Sequence, residues 1–184
     1  SASVLIDYLL ENGEKEDWKV RVGDHKLENA TAKVRGRVRG EAFAFDVKNE
    51  FQRLNEISEA DLVISMLPAH MHEDVARQCI ALHTPMVTAS YVSERMQSFD
   101  EEAKEAGVVI MNEIGVDPGI DHMSAMSVID RIHAQGGKMI QFESFTGGLV
   151  APESDDNPWN YKFAWNPRNV VLAGSGGAVK FKQE

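Results

Sequence analysis

The chain has 184 residues, 43% hydrophobic and 26% charged, a globular profile long enough to bury the core of one domain, or of one domain and part of another. Its formal net charge of −10, with basic residues scattered, excludes a nucleic-acid or acidic-membrane surface by simple repulsion. The single cysteine, Cys79, excludes an internal disulfide framework, and no apolar run reaches the ~18 residues of a membrane span. Cys79 stands four residues after Val75 on an apolar helix face and is expected to be a packed, inert thiol. A reducing, cytoplasmic setting is the expectation that follows.

The predicted elements alternate along the chain. Ser3 to Leu10 has helical period and stops at Asn12-Gly13. Trp18 to Val22 alternates as a strand and ends at Gly23-Asp24. Leu27 to Val34 reads as a short helix, and the basic cluster Lys33 to Arg39 as a solvated loop rather than a phosphate grip. Ala42 to Val47 is a strand with Asp46 near its end. Glu50 to Ala60 is a polar helix with Phe51, Leu54 and Ile57 three apart. Asp61 to Leu67 is a continuous apolar strand stopped by Pro68, Met71 to Leu82 a helix, and Pro85 to Ala89 a strand. Ser93 caps a long helix reaching Ala106, with Gly107 behind it. Val108 to Asn112 is the next strand, and Gly119 to Gln135 a helix closed by Gly136-Gly137. After Gly137 the βαβ rhythm gives way to alternating strands, aromatic residues and turn signals.

Apolar strands separated by helices of about 10–15 residues give βαβ units. Right-handed crossovers wind such units into an α/β, doubly wound, parallel Rossmann-type sheet. The expected domains are 1–137, a dinucleotide-binding domain, and 138–184, the beginning of an α+β substrate domain. Ligands of such sheets lie beyond the carboxyl ends of the strands. Asp24, Asp46, Met66-Leu67-Pro68, Ser90-Tyr91 and "NEIGVDPG" (112–119) should therefore share one edge. The acid that meets the ribose normally follows a glycine-rich turn by about 20 residues. Asp24 takes that acid's position, so the glycines and a central first strand are expected just before Ser1. His70 and His72 are two apart on a loop, without the i, i+4 spacing or the companion ligands of a metal site, so no metal is expected.

At "NEIGVDPGIDHMSA" (112–125), with "DLVISMLPAHMH" before it and "FTGGLVAPESDDNPWNYKFAWNPRNVVLAG" after it, the sequence resembles the saccharopine dehydrogenase family on its glutamate-forming side. The resemblance runs over nearly the whole chain and implies a three-part enzyme more than twice this length. The family's turn reads like G-A-G-R-S-A, which makes Ser1 and Ala2 its last two positions; its glycines are not in this chain. By resemblance, Asp24 meets the adenosine ribose and repels a 2′-phosphate, which favours NAD over NADP. Asp46 lies near adenine, with a helix-capping turn acid as its alternative. Met66, Leu67 and Pro68 lie against the nicotinamide ribose and phosphates, and Gly115, Val116 and Gly119 beside the ring. Ser90 and Tyr91 contact substrate. Asp117 pairs with the substrate ammonium, with Tyr91 beside it as a further catalytic candidate. Lys162 and Arg168 are the cations available for the substrate carboxylates. Asp121 reads as structural, His122 as packed, and Glu113 is open.

The implied reaction belongs to lysine metabolism. Hydride transfer from the C–N bond of saccharopine to NAD, followed by hydrolysis, yields glutamate and aminoadipate semialdehyde. The implied partners are an amino-acid substrate and a second copy of the chain, a homodimer through the second domain. A carboxynorspermidine-type dehydrogenase and a non-catalytic nucleotide-binding module are the alternatives.

Overall fold

Parallel strands alternate with helices through the first part of the chain, as the hydrophobic rhythm predicts. The computed structural model describes residues 2–145, 150–163 and 171. Strands β1 (Val20–Asp24) and β2 (Gly40–Ala44) pair in one parallel ribbon. Strands β3 (Val63–Ile64), β4 (Met86–Val87) and β5 (Ile110–Met111) form a second parallel sheet in the order β3-β4-β5. Among the described residues, no ladder joins the ribbon to the sheet. Helices α1 (Ala2–Asn12), α2 (Leu27–Val34), α3 (Glu50–Ser58), α4 (His72–Ala81), α5 (Glu94–Gln97), α6 (Asp100–Ala106) and α7 (Ile120–Ala134) connect and follow the strands. The α/β, parallel, Rossmann-like class is the one expected. Two compact units are present, Ser1–Gly137 and Lys138–Glu184.

Several local expectations are corrected. The apolar strands are shorter than their runs, although ladder bonds from Ser65 N–H to the Val87 carbonyl (2.9 Å) and from Thr88 N–H to the Met111 carbonyl (2.9 Å) carry pairing one residue further. In α3 the buried residues are Arg53 and Ile57, while Phe51 is 85% exposed. The Arg53 guanidinium is tolerated inside because it donates to the Gln78 side chain and to the Val47 carbonyl. The long helix expected from Ser93 to Ala106 breaks at Ser98-Phe99. There Ser98 Oγ donates to the Arg95 carbonyl at 2.7 Å, and the Phe99 ring turns into the core. Ser93 does cap α5, its Oγ accepting from Met96 N–H at 3.1 Å. The Lys33–Arg39 cluster runs from the end of α2 into a solvated turn, as expected, and its arginines are ion-paired there: Arg35 and Arg37 reach Asp7 of α1, and Arg39 reaches Asp17.

The larger hydrophobic cluster joins Ile57, Val75, Ala76, Cys79, Ile80, Met86, Met96, Phe99 and Ala103. Cys79 is fully buried, and burial pushes its thiol up to about 12, which makes it inert as expected. A smaller cluster of Val22, Ala30 and Val34 lies under the β1–β2 ribbon.

In the second unit, the described residues contain no strand, against the expected alternation. Local side-chain turns take over instead. Asn157 Oδ1 accepts from Trp159 N–H, its Nδ2 donates to the Tyr161 carbonyl, and Pro152–Ser154 forms a 3-10 turn. Among the described residues, no helix is long and apolar enough to cross a membrane.

Candidate functional site

The carboxyl ends of β3, β4 and β5 are tied together by side chains. His72 opens α4 and is 2% exposed. Its Nδ1 meets Ser65 Oγ at 2.8 Å, and its Nε2 meets Ser90 Oγ at 2.8 Å and Thr88 Oγ1 at 3.3 Å. Burial, and then the charge of His70, hold the His72 ring below its ordinary pKa, so the imidazole is the neutral form near pH 7. The β4 and β5 ends are laced directly. Glu113 N–H donates to the Ser90 carbonyl at 3.1 Å, and Glu113 Oε1 accepts from Val92 N–H at 3.1 Å. Ile114 N–H reaches the Thr88 carbonyl at 3.4 Å. Glu113 adopts a left-handed backbone at φ 61°, a conformation that these bonds hold in place. Ser90 is half-buried and Tyr91 is 61% exposed beside it.

The segment after β5 folds back on itself. Gly115 N–H donates to the Pro118 carbonyl, and Ile120 N–H to the Gly115 carbonyl, both at 3.0 Å. A Cβ on Gly119, where φ is 147°, would stand 2.3 Å from the Gly115 carbonyl oxygen. The glycine is therefore required by the backbone's approach to itself, and not only by approach to a ligand. A Cβ on Gly115 would press on the Ala89 Cβ at 3.1 Å, which packs this turn against the end of β4. Asp117 and Val116 are exposed at the tip.

Asp121 braces the turn, its Oδ1 accepting from Gly119 N–H at 3.0 Å and meeting His122 Nδ1 at 2.7 Å. Against a desolvation that raises it, the His122 ring and the His122 and Gly119 N–H groups hold the Asp121 carboxyl below its ordinary range. The hydrogen bond and then the charge of Asp121 raise His122, with smaller help from Asp117 and Glu113. His122 was expected to be packed, yet its side chain is 69% exposed, because the start of α7 turns it outward beside Asp121. Asp117, Asp121 and His122 bring ligand-type atoms within 4.8 Å of one another.

The β1 end presents a cleft lined by Ser3, Asp24, Asn29, Ala32 and Lys33. Asp24 does not point freely into it. Its Oδ1 accepts from Lys26 N–H at 2.9 Å and Asn29 Nδ2 at 3.0 Å, and these bonds, the Lys26 one foremost, lower its pKa. Lys33 Nζ donates to Ser3 Oγ at 2.8 Å across the same cleft. The lining thus offers hydroxyl, amide and ammonium donors beside one ionised carboxylate.

Other expected residues are placed as follows. Asp46 is exposed, and its Oδ1 accepts from Lys48 N–H at 3.0 Å, the geometry of a turn acid before α3. Met66 and Pro68 are exposed beyond β3, while Leu67 packs against the larger cluster. Ala2 begins α1. In the second unit Lys162 pairs with Asp156 at 2.8 Å. Ser1 and Arg168 lie outside the described residues. Ser65 and Thr88 are not singled out by the sequence, where His72 is weighed only as a metal ligand and Glu113 is left open. The run of hydroxyl residues at successive strand ends was the available signal, but nothing local shows that one ring joins them.

The family model described as the saccharopine dehydrogenase NADP binding domain matches residues 2–111, and the one described as the saccharopine dehydrogenase C-terminal domain matches residues 115–184. The NADP(+), L-glutamate-forming saccharopine dehydrogenase of Pyricularia oryzae is 42% identical over 96% of this chain and 38% of its own length. The alpha-aminoadipic semialdehyde synthase of Arabidopsis thaliana is 43% identical over 92% of this chain and 16% of its own. The solved apo structure of the Saccharomyces cerevisiae L-Glu-forming saccharopine dehydrogenase superposes with a TM-score of 0.83 at 40% identity, covering 94% of this chain and 38% of that one. The chain thus spans well under half the length of these relatives.

These matches overturn the expectation of NAD. The first domain is of a type described as NADP binding, and the fungal relatives are named for NADP(+). The geometry at Asp24 adds two features that its position in the sequence does not show. The expectation assumed a free carboxylate facing the ribose, whereas one oxygen braces the β1–α2 turn and the Lys33 ammonium shares the cleft. With both family models matched in order along the chain and the parallel α/β fold shared with a solved member, the chain belongs to the saccharopine dehydrogenase family.

Proposed function

We propose that the protein carrying this chain oxidises the secondary-amine C–N bond of saccharopine to an imine, with NADP(+) as the hydride acceptor, and that water hydrolyses the imine to glutamate and aminoadipate semialdehyde. The observation that carries this reading is the laced β4–β5 edge. It sets the Ser90 hydroxyl, the Tyr91 phenol and the Asp117 carboxylate on neighbouring turns at the carboxyl end of one parallel sheet. Bound NADP would supply the hydride acceptor. Lys33, Ser3 and Asn29 would hold its phosphorylated ribose in the β1 cleft. Asp117 receives the substrate ammonium and orients the C–N bond, Ser90 and Tyr91 offer hydroxyls to its polar groups, and the Gly115–Gly119 turn keeps Asp117 at a fixed height above the sheet.

The test is saccharopine turnover, followed by nicotinamide absorbance, in the natural protein carrying this chain. Asp117→Asn should lower kcat/KM by about one to two decades, the loss of one charge-assisted hydrogen bond, and leave the Kd for NADP unmoved. No turnover by the unsubstituted protein, or parallel collapse of NADP affinity in the variant, rejects the reading.

A further inference from the structure

The largest fully buried side chains among the described residues are Met86, His72 and Cys79. Met86 and Cys79 belong to the larger hydrophobic cluster; His72 is surrounded by hydroxyls instead. Ser65 follows β3, and Thr88 and Ser90 follow β4, so the ring fastens two neighbouring strand ends from the first residue of α4. A neutral imidazole offers one donor and one acceptor nitrogen, while each hydroxyl can serve as either. The ring therefore dictates which way the hydroxyl protons point. Thr88 Oγ1 also accepts from Ser90 N–H at 3.3 Å, which fixes the backbone of the same turn. Ser90 is the member of the set that reaches the solvent edge, and its carbonyl accepts from Glu113 N–H.

We propose that His72 is a positioning residue: it locks the Ser65, Thr88 and Ser90 hydroxyls into one network and so preforms the Ser90–Val92 turn and, through Glu113, the wall that carries Asp117. His72 acts through Ser90 rather than by touching substrate. The substrate arm of this inference rests on the reading that Ser90, Tyr91 and Asp117 face the amino-acid substrate. The network itself does not.

The experiment compares His72→Asn, His72→Phe, Ser90→Ala and the His72→Asn/Ser90→Ala double variant in the natural protein carrying this chain. Amide hydrogen exchange needs no substrate. His72→Phe should speed exchange at Ser90, Val92, Glu113 and Ile114 by about tenfold, the effect of one net hydrogen bond, and leave the β1–β2 ribbon unchanged. His72→Asn, whose amide keeps a donor and an acceptor, should restore part of that protection. If His72→Phe does not fold, His72→Asn and Ser90→Ala are read in the same way. Saccharopine KM should rise about tenfold in His72→Asn with the Kd for NADP unmoved, and the double variant should be no worse than the worse single one. Unchanged exchange at the turn, equal acceleration in ribbon and sheet, or additive KM effects would overturn the inference. An unsubstituted protein that does not turn over saccharopine removes the proposed reaction, and the exchange pattern still decides the role of His72.

Discussion

The β1–β2 ribbon and the β3–β4–β5 sheet solve the same problem differently. Each must end its strands in a polar, functional edge. The ribbon does so locally: the Asp24 carboxylate is held by Lys26 and Asn29, within the next turn of chain. The sheet does so at long range, through His72, whose partners Ser65, Thr88 and Ser90 come from the ends of two other elements. Their cores differ in the same sense. Val22, Ala30 and Val34 alone are buried in the ribbon's cluster, against the wide cluster around Cys79 and Met86. A local brace survives loosening of its surroundings. A buried hub does not, because its hydroxyls are supplied by two separately packed strand ends.

The contrast breaks most visibly in stability. Met86→Ala should cost about 2–5 kcal/mol, the range for a fully buried methionine that leaves a cavity. Val34→Ala in the thin cluster should cost about 1.5 kcal/mol, from two lost methyl groups. Urea unfolding compares them, and equal costs would erase the distinction between the two cores.

Next in size is Lys33→Met. The Kd for NADP should rise by about one to two decades, as for loss of one charge-assisted contact, with saccharopine KM unmoved. Titration by nicotinamide fluorescence checks this. An unchanged Kd would place the phosphate elsewhere than the β1 cleft.

Gly119→Ala should cost about 1–3 kcal/mol, because the new Cβ meets the Gly115 carbonyl oxygen and φ 147° disfavours any L side chain. Its kinetic damage should fall on saccharopine turnover and spare NADP affinity. Damage to both would mean that ribbon and sheet edges are coupled.

Two histidines sharpen the comparison through pH. His72 has a folded pKa below its ordinary 6.5, so the unfolded chain takes up the proton more readily. The stability it contributes is present above pH 6.5 and is lost as pH falls below that value. His72→Asn should flatten this acid limb of an unfolding series. His122 has the opposite sign. Its folded pKa is raised above 6.5 by Asp121, so its contribution is present below 6.5 and lost as pH rises through the folded value. It is exposed, so the effect is read by NMR titration rather than by unfolding, and Asp121→Asn should return the ring toward 6.5.

What the sequence by itself determined was set by short-range chemistry. The parallel α/β class follows from apolar runs alternating with helical periods, and α2 matches its expected span of Leu27–Val34. The Ser93 cap, the left-handed Gly107 and the inert Cys79 were legible because each depends on a few neighbours or on one helical face. The family was legible because three motifs recur in order. The tertiary structure alone decided which face of α3 is buried, since the partners of Arg53, Gln78 and the Val47 carbonyl, meet it only when α4 and the β2–α3 connection pack against it. It alone decided that Asp24 braces a turn, that His122 faces outward and that His72 gathers hydroxyls from two strand ends. A sequence records which groups a side chain can bond. Whether that bond is made inside the same turn or across a sheet depends on the packing that brings the second partner within reach.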